Sequence, residues 1–395
     1  VEAQIRHTLG TTYAMLGEYP KAEAMLNLSI TLFEQTEGLD SRTTINARRQ
    51  LGFVDAEAGR PDQAERIARD AADRLAALFG PEDPDVLMAR VEIARALVEQ
   101  GRVEEAAEAY RAVLADAERL VEPDSDVVLV AMHNLASTLG HAGDLRGSAE
   151  MNERVLERRR AKLGDTHPDT ITSMNNLATT LVRLGETDRA EAMSREVLRL
   201  RREILGDAHR STVTGILNLT GILIPQARLD EAEPLTREAL ASARAGLGVE
   251  HPVTLSAMNQ LAYLLEDRDR LDEAEPLYRE TIDILERTAG RDHPEMLAPI
   301  NNLASLLVRA GRPAEAEPVY EDLLVRTESI VGTEHFFTGI FRSNFGECLT
   351  ALGRRSEAIE ALEEAIRVLE AALGTEHDRV KTAKIRLETA RALPR

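Results

Sequence analysis

The chain has 395 residues, of which 43% are hydrophobic, 29% charged and 3% aromatic, with no Trp. Its wealth of Ala, Leu, Glu and Arg suits an all-helical protein and excludes a β-sandwich. The formal net charge of -20 disfavours nucleic acid, whose capture needs Lys and Arg against phosphates, and disfavours anionic membrane surfaces.

A glycine recurs with a step of 42 residues, at Gly17, Gly59, Gly101, Gly143, Gly185, Gly311 and Gly353, and the two interruptions fall at Ala227 and Asp269. The step divides the chain into nine units, 1–41, 42–83, 84–125, 126–167, 168–209, 210–251, 252–293, 294–335 and 336–377, followed by a capping helix and tail at 378–395. Each unit reads as a helix A, a tight turn at the glycine, a longer helix B and a loop. No single hairpin buries both of its faces, so neighbours must stack, and an all-α solenoid of nine helical hairpins is expected.

In the first unit Leu9 and Gly10 precede the turn and Ala22 follows it. This sequence of large apolar, small and small again returns in every unit and lets two helix backbones approach closely. The chain begins at Val1 and reads at once as helix, so a fragment of a longer protein or a processed product is expected. The second unit puts Asp55 where others have Tyr13, Leu97, Leu139 or Leu181. An unpaired buried carboxylate is costly, so this unit is expected either to be looser or to supply Asp55 with a partner. The fourth unit carries His133 and His141 on one helix A, about 12 Å apart at ~1.5 Å rise per residue and so too distant to share a metal. Its helix B holds the run "RVLERRRAKLG", expected to be a solvated surface with i,i+4 ion pairs.

In the fifth unit Pro168 opens helix A near 168–184, and Gly206 is expected to stop helix B, near 188–205, as a left-handed residue. The sixth unit, "GILNLTGILIPQARLD", places Pro225 in its helix A, which predicts a shortened or kinked helix. The ninth holds the single Cys348, in a column of packing residues, which reads as a buried inert thiol. One cysteine permits no intramolecular disulfide and is compatible with a reducing, cytoplasmic compartment. No apolar run is long enough to cross a bilayer, and no membrane insertion is expected.

Two polar columns remain. His167, His209, His251, His293, His335 and His377 recur at the start of helix A, where earlier units have Ser41, Asp83 and Ser125. Successive members should lie one helix spacing apart, roughly 8–10 Å, too far to share one ion. They are expected to satisfy backbone groups at the helix start. Nine residues before the turn lie Asn134, Asn176, Asn218, Gln260, Asn302 and Asn344, and one residue earlier Asn175, Asn259 and Asn301 form a second file. Asn is a mediocre helix former, so propensity does not explain it there. A row of amides can donate to and accept from an extended peptide backbone; the other reading is that it ties helix A to its neighbour. His141, Arg183 and Arg309 flank these files, and with His133 they complete a set of groove candidates. Around Asn134, Asn176, His141 and Arg183 an acidic side chain or chain terminus could be read.

The motifs "HPDTITSMNNLATTLVRLGETDRAEA" and "HPEMLAPINNLASLLVRAGRPAEAEPVYEDLL" resemble the tetratricopeptide repeat in its kinesin-light-chain variety, over essentially the whole chain. The resemblance implies a right-handed superhelix with a concave groove, in which the Asn row holds a partner peptide. Similar arrays follow the catalytic domain of large bacterial serine/threonine protein kinases, and the opening "VEAQIRHTLGTTYAMLGEYPKAEAML" looks like the start of one. The sequence contains no Gly-rich phosphate loop, and no catalytic residue, cofactor or metal ligand is expected in it. The expected function is a non-enzymatic scaffold for a protein or peptide partner. The alternatives are a regulatory or substrate-docking arm of a kinase whose catalytic domain precedes Val1, and a self-association module.

Overall fold

The amphipathic periodicity is realised throughout as helix. The computed structural model describes residues 1–394, and among these there are nineteen α-helices, two 3₁₀ turns and no strand. The contacts fall into two units, Val1–Leu200 and Arg201 onward. The first holds α1 (Glu2–Met15), α2 (Tyr19–Glu37), α3 (Arg42–Glu57), α4 (Pro61–Phe79), α5 (Pro84–Glu99), α6 (Val103–Leu120), α7 (Asp126–His141), α8 (Leu145–Leu163) and α9 (Pro168–Leu184), with α10 (Thr187–Leu205) running across the division. The second holds α11 (Arg210–Leu223), α12 (Leu229–Gly246), α13 (Pro252–Asp267), α14 (Leu271–Thr288), α15 (Leu297–Arg309), α16 (Pro313–Val331), α17 (Phe336–Ala351), α18 (Arg355–Leu373) and α19 (Asp378–Arg391). Odd-numbered helices are of type A and even-numbered ones of type B. Among the described residues no helix is long and apolar enough to cross a membrane.

Small residues set the spacing inside each hairpin. Ala22, Ala106, Ala190, Ala232, Ala274, Ala316 and Ala358 are completely buried. A Cβ on Gly346 would lie 2.5 Å from Leu362 Cγ, and one on Gly10 2.7 Å from Leu26 Cγ. In these two hairpins a branched side chain of helix B occupies the space that an alanine of helix A would need.

The helix starts are capped as the histidine column predicts. Nδ1 of His167, His209, His251, His293, His335 and His377 accepts the backbone N–H two residues on, at 3.1 to 3.3 Å. Asp83 caps its helix in the same way, Ser41 accepts the N–H three residues on, at Thr44, and Ser125 makes no side-chain cap bond.

Three other expectations resolve locally. Asp55 is fully buried and finds a partner, with Arg60 Nη2 2.6 Å from its Oδ1. Pro225 does shorten helix A of the sixth unit: α11 ends at Leu223 and a 3₁₀ turn, Ile224–Gln226, replaces its last turn. Gly206 has the expected positive φ of 79°, but at the equivalent Gly38, Gly80, Gly164, Gly332 and Gly374 ψ is 154° to 167°. Those five therefore leave helix B through the extended, glycine-only region and not as left-handed helical residues.

The run "RVLERRRAKLG" is not laced by i,i+4 pairs. Arg154 and Arg158 both reach Glu118 on α6, at 2.7 and 2.9 Å, and Lys162 donates to the Asp124 carbonyl. The nearer acids lie on the neighbouring hairpin, so the charges stitch units together. A second stitch repeats along the B helices: Arg60 meets Glu23 at 2.9 Å, Arg270 meets Glu233 at 2.6 Å, Arg312 meets Glu275 at 2.7 Å, and Arg354 pairs with Glu317.

Candidate functional site

The polar columns lie on the A helices, and the 42-residue step brings each amide beside the helix before it. From α13 onward they form a relay. Asn302 Nδ2 donates to Asn259 Oδ1 at 3.3 Å, Asn301 Nδ2 to Asn302 Oδ1 at 3.3 Å, and Asn344 Nδ2 to Asn301 Oδ1 at 2.8 Å. Arg386 on α19 closes the chain, its Nη1 2.7 Å from Asn344 Oδ1. The relay thus runs over α13, α15, α17 and α19. Each of these four carboxamide oxygens accepts a hydrogen bond, while each NH₂ group in the relay has two hydrogens to give. Gln260 is turned elsewhere, its Nε2 3.1 Å from both the Leu217 carbonyl and Thr220 Oγ1. Asn218 on α11 is exposed.

The relay follows a rule: a residue nine before the turn meets one ten before the turn on the preceding A helix. The same rule places Glu92 of α5 against Arg49 of α3, Oε1 to Nη1 at 3.3 Å. Arg49, Glu92 and Arg386 were outside the set picked from the sequence, yet they occupy its two columns. Their residue types, not their positions, hid them.

The flanking arginines are anchored. Arg183 Nη2 donates to the Gly140 carbonyl at 2.9 Å, and Arg309 Nη2 to the Glu266 carbonyl at 3.0 Å, with Nη1 3.2 Å from Glu266 Oε1. Each cation therefore closes the carbonyl end of the preceding A helix, where the macrodipole favours positive charge. Arg309 is neutralised there by Glu266, a carboxyl that burial pushes above its ordinary range. Among the described residues Arg183 meets a carbonyl and no carboxylate.

That difference shapes a pocket of about 200 Å³ between α7 and α9. It is lined by His133, His141, Asn176 and Arg183 from the candidate set, and by Ser137 and Thr179 among others, but by no Asp or Glu. His141 is exposed at its mouth. His133 is half-buried and its Nδ1 has no partner; burial lowers its pKa, and the Arg159 charge pushes the same way. Asn134 and Asn175, both half-buried, do not line the pocket. Asn134 hydrogen-bonds the buried hydroxyl of Tyr110, whose pKa burial raises. Asn152, buried at the back, donates to Thr180 Oγ1 at 3.2 Å.

Cys348 is buried, its Sγ 3.3 Å from the Pro313 carbonyl, and burial pushes its thiol up to about 11. Among the described residues no cluster of three or more His, Cys, Asp or Glu side chains is placed to hold a metal ion.

The tetratricopeptide repeat family matches in overlapping windows at residues 1–77, 43–119, 85–161, 127–203, 212–287, 254–324 and 295–371. Among solved structures, the apo quorum sensor NprR from B. thuringiensis aligns over 93% of this chain and 98% of its own, at 12% identity and a TM-score of 0.62. A Rap protein complexed with Competence and Sporulation Factor aligns over 88% of this chain and 97% of its own, at 12% identity and a TM-score of 0.54. Kinesin-light-chain repeats from Podosopora anserina align over 52% of this chain and 97% of their own, at 22% identity and a TM-score of 0.48. These are likenesses of fold. No curated protein matches the sequence.

Proposed function

The chain belongs to the tetratricopeptide repeat family, and from that premise we propose that it is a non-catalytic scaffold that holds an extended segment of a partner protein against its A helices. The pocket between α7 and α9 carries the reading. In a chain with 68 acidic and 48 basic residues, it gathers an arginine, two histidines, two amides and hydroxyls without one carboxylate. Such a site favours an acidic side chain or chain terminus of the partner, since hydrogen bonds to charged groups are the strong ones. Along the relay from α13 to α19 each carboxamide oxygen already accepts one hydrogen bond, and the amide hydrogens not spent in the relay are donors for the carbonyls of a partner backbone. A solved protein of like fold is a complex with Competence and Sporulation Factor, in keeping with an array that receives a guest.

The test is affinity capture from the source lysate with wild type and with an Asn176→Ala, Arg183→Ala double variant, whose thermal melt confirms folding. The expected result is a captured protein that the variant loses. Recovery of the same proteins by both sinks the reading.

A further inference from the structure

A second surface shares no residue with the A-helix pocket. Helices α16 and α18 form the walls of an open groove of about 940 Å³, with α17 beneath. Its apolar lining includes Leu324, Phe345, Leu349 and Ile359. The repeat supplies its own controls, because the same groove occurs between α2, α3 and α4 at about 590 Å³ and between α6, α7 and α8 at about 370 Å³. The three share Leu324, Ile30 and Leu114 on one wall, and Phe345, Leu51 and Leu135 beneath.

One lining column changes in step with the three volumes. The residue projecting from the later wall is Ala361 in the large groove, Ile67 in the middle one and Met151 in the small one. Elsewhere the column holds Met25, Ala109, Met193, Leu235, Leu277 and Val319. At Ala361 the side chain that covers apolar lining in the other two grooves is missing. Val325 on the adjoining wall is 69% exposed, at the register where Ala115 lines the small groove.

The rim says what fits. Five glutamates line the groove, Glu328, Glu357, Glu360, Glu363 and Glu364, against Arg342 and Arg367. Both arginines are already matched: Arg342 lies 2.6 Å from Glu328 and 2.9 Å from Glu364, and Arg367 lies 2.7 Å from Glu364; Glu357 pairs with Arg354 and Glu363 lies 2.9 Å from Arg391, so the unmatched charge of the rim sits at Glu360. Glu360 has no ion pair among the described residues. The middle groove has Arg66 in its place, so its rim is balanced.

We propose that the α16–α18 groove docks a basic amphipathic helix of a partner protein, one large apolar side chain of which fills the space left by Ala361 while flanking Lys or Arg residues meet Glu360 and its neighbours. Burial of the apolar anchor supplies affinity, and the acidic rim selects the sign of the partner.

The probe is a designed amphipathic peptide with a leucine stripe flanked by lysines, read by fluorescence anisotropy beside a counterpart with glutamates for lysines. The lysine peptide should bind the wild-type chain and the glutamate peptide should not. Ala361→Met restores the residue found at Met151 and should weaken binding about tenfold or more, with the melt unchanged. Glu360→Lys, at a wall position without an ion pair, should weaken it as well and serves if the methionine variant misfolds. Arg183→Ala, in the A-helix pocket, should leave it unaltered, so the two sites stand or fall separately. No binding by wild type, equal binding of the two peptides, or full affinity in folded Ala361→Met and Glu360→Lys overturns the proposal.

Discussion

Asn344 Nδ2 donates to Asn301 Oδ1 at 2.8 Å, across 43 positions of chain and from one A helix to the A helix before it. Asn301 in turn donates to Asn302, and Asn344 accepts from Arg386. From α13 to α19 the Asn file is therefore a seam between hairpins, whatever it also offers to a guest. A polar seam has a use in an array whose apolar contacts repeat, because it rewards one register between neighbours over a slipped one.

Breaking the seam should cost stability. Asn301→Ala removes the acceptor of Asn344 and the donor to Asn302, and a half-buried donor left without a partner costs about 1–3 kcal/mol. Urea denaturation should show that loss. With Asn344→Ala as the second change, the cycle should return a coupling of about 1 kcal/mol. Additive losses would mean that the bond contributes nothing beyond its separate ends.

Gly346 and Leu362 make the same kind of test for packing. A Cβ at Gly346 would sit 2.5 Å from Leu362 Cγ, so Gly346→Ala forces the helices of the ninth hairpin apart, at about 1–3 kcal/mol. Other hairpins carry alanine in that column without an opposing leucine: Ala136 faces Asn152, and Ala178 faces Ser194. The double change Gly346→Ala with Leu362→Ser should therefore lose less than the two single losses added together, as read from thermal melts.

The A-helix turns give a gain instead of a loss. Ala227 and Asp269, the two interruptions of the glycine column, have φ of 58° and 59°, and they are the non-glycine residues with positive φ among those described. The fold keeps the left-handed turn even where the sequence does not supply its preferred residue. Ala227→Gly and Asp269→Gly should each raise stability by about 1 kcal/mol, the strain of a left-handed L-residue less the greater chain entropy of glycine. Melting temperatures at or below wild type would refute it.

Positions were legible in the sequence wherever one column does one job. The 42-residue step placed the helices, the histidine caps and the Pro225 interruption, because each depends on neighbours close in the chain. Partners were less legible. Nothing local to Arg154 says that Glu118 lies nearer than an acid four residues away, and nothing local to Arg183 distinguishes it from Arg309. That contrast comes from the preceding helix, which ends in Glu266 beneath Arg309 and in no acid beneath Arg183. The seam itself was readable, but the columns were followed by residue type, so Arg49, Glu92 and Arg386 stayed outside them.

The Glu92 rung should make stability depend on pH in an unusual direction. Glu92 on α5 faces Arg49 of α3, with Arg95 and Asp85 also acting on it. Burial outweighs both arginines and raises its pKa from 4.5 to about 7, and its Oε2 has no partner. Between these values the folded chain holds a proton that the unfolded chain has released, so stability must fall as pH rises through this window. The shift amounts to on the order of 2 kcal/mol once solvent access and the Arg49 pair are allowed for. Glu92→Gln keeps the shape and cannot ionise. Urea denaturation from about pH 5 to pH 8 should show a steeper decline in wild type than in the variant, with the variant at least as stable at the upper end. Carboxyl carbon shifts in an NMR titration should place Glu92 near neutrality. Parallel stability curves, together with an Glu92 titration in the ordinary carboxylate range, would show that the Arg49 charge prevails over burial.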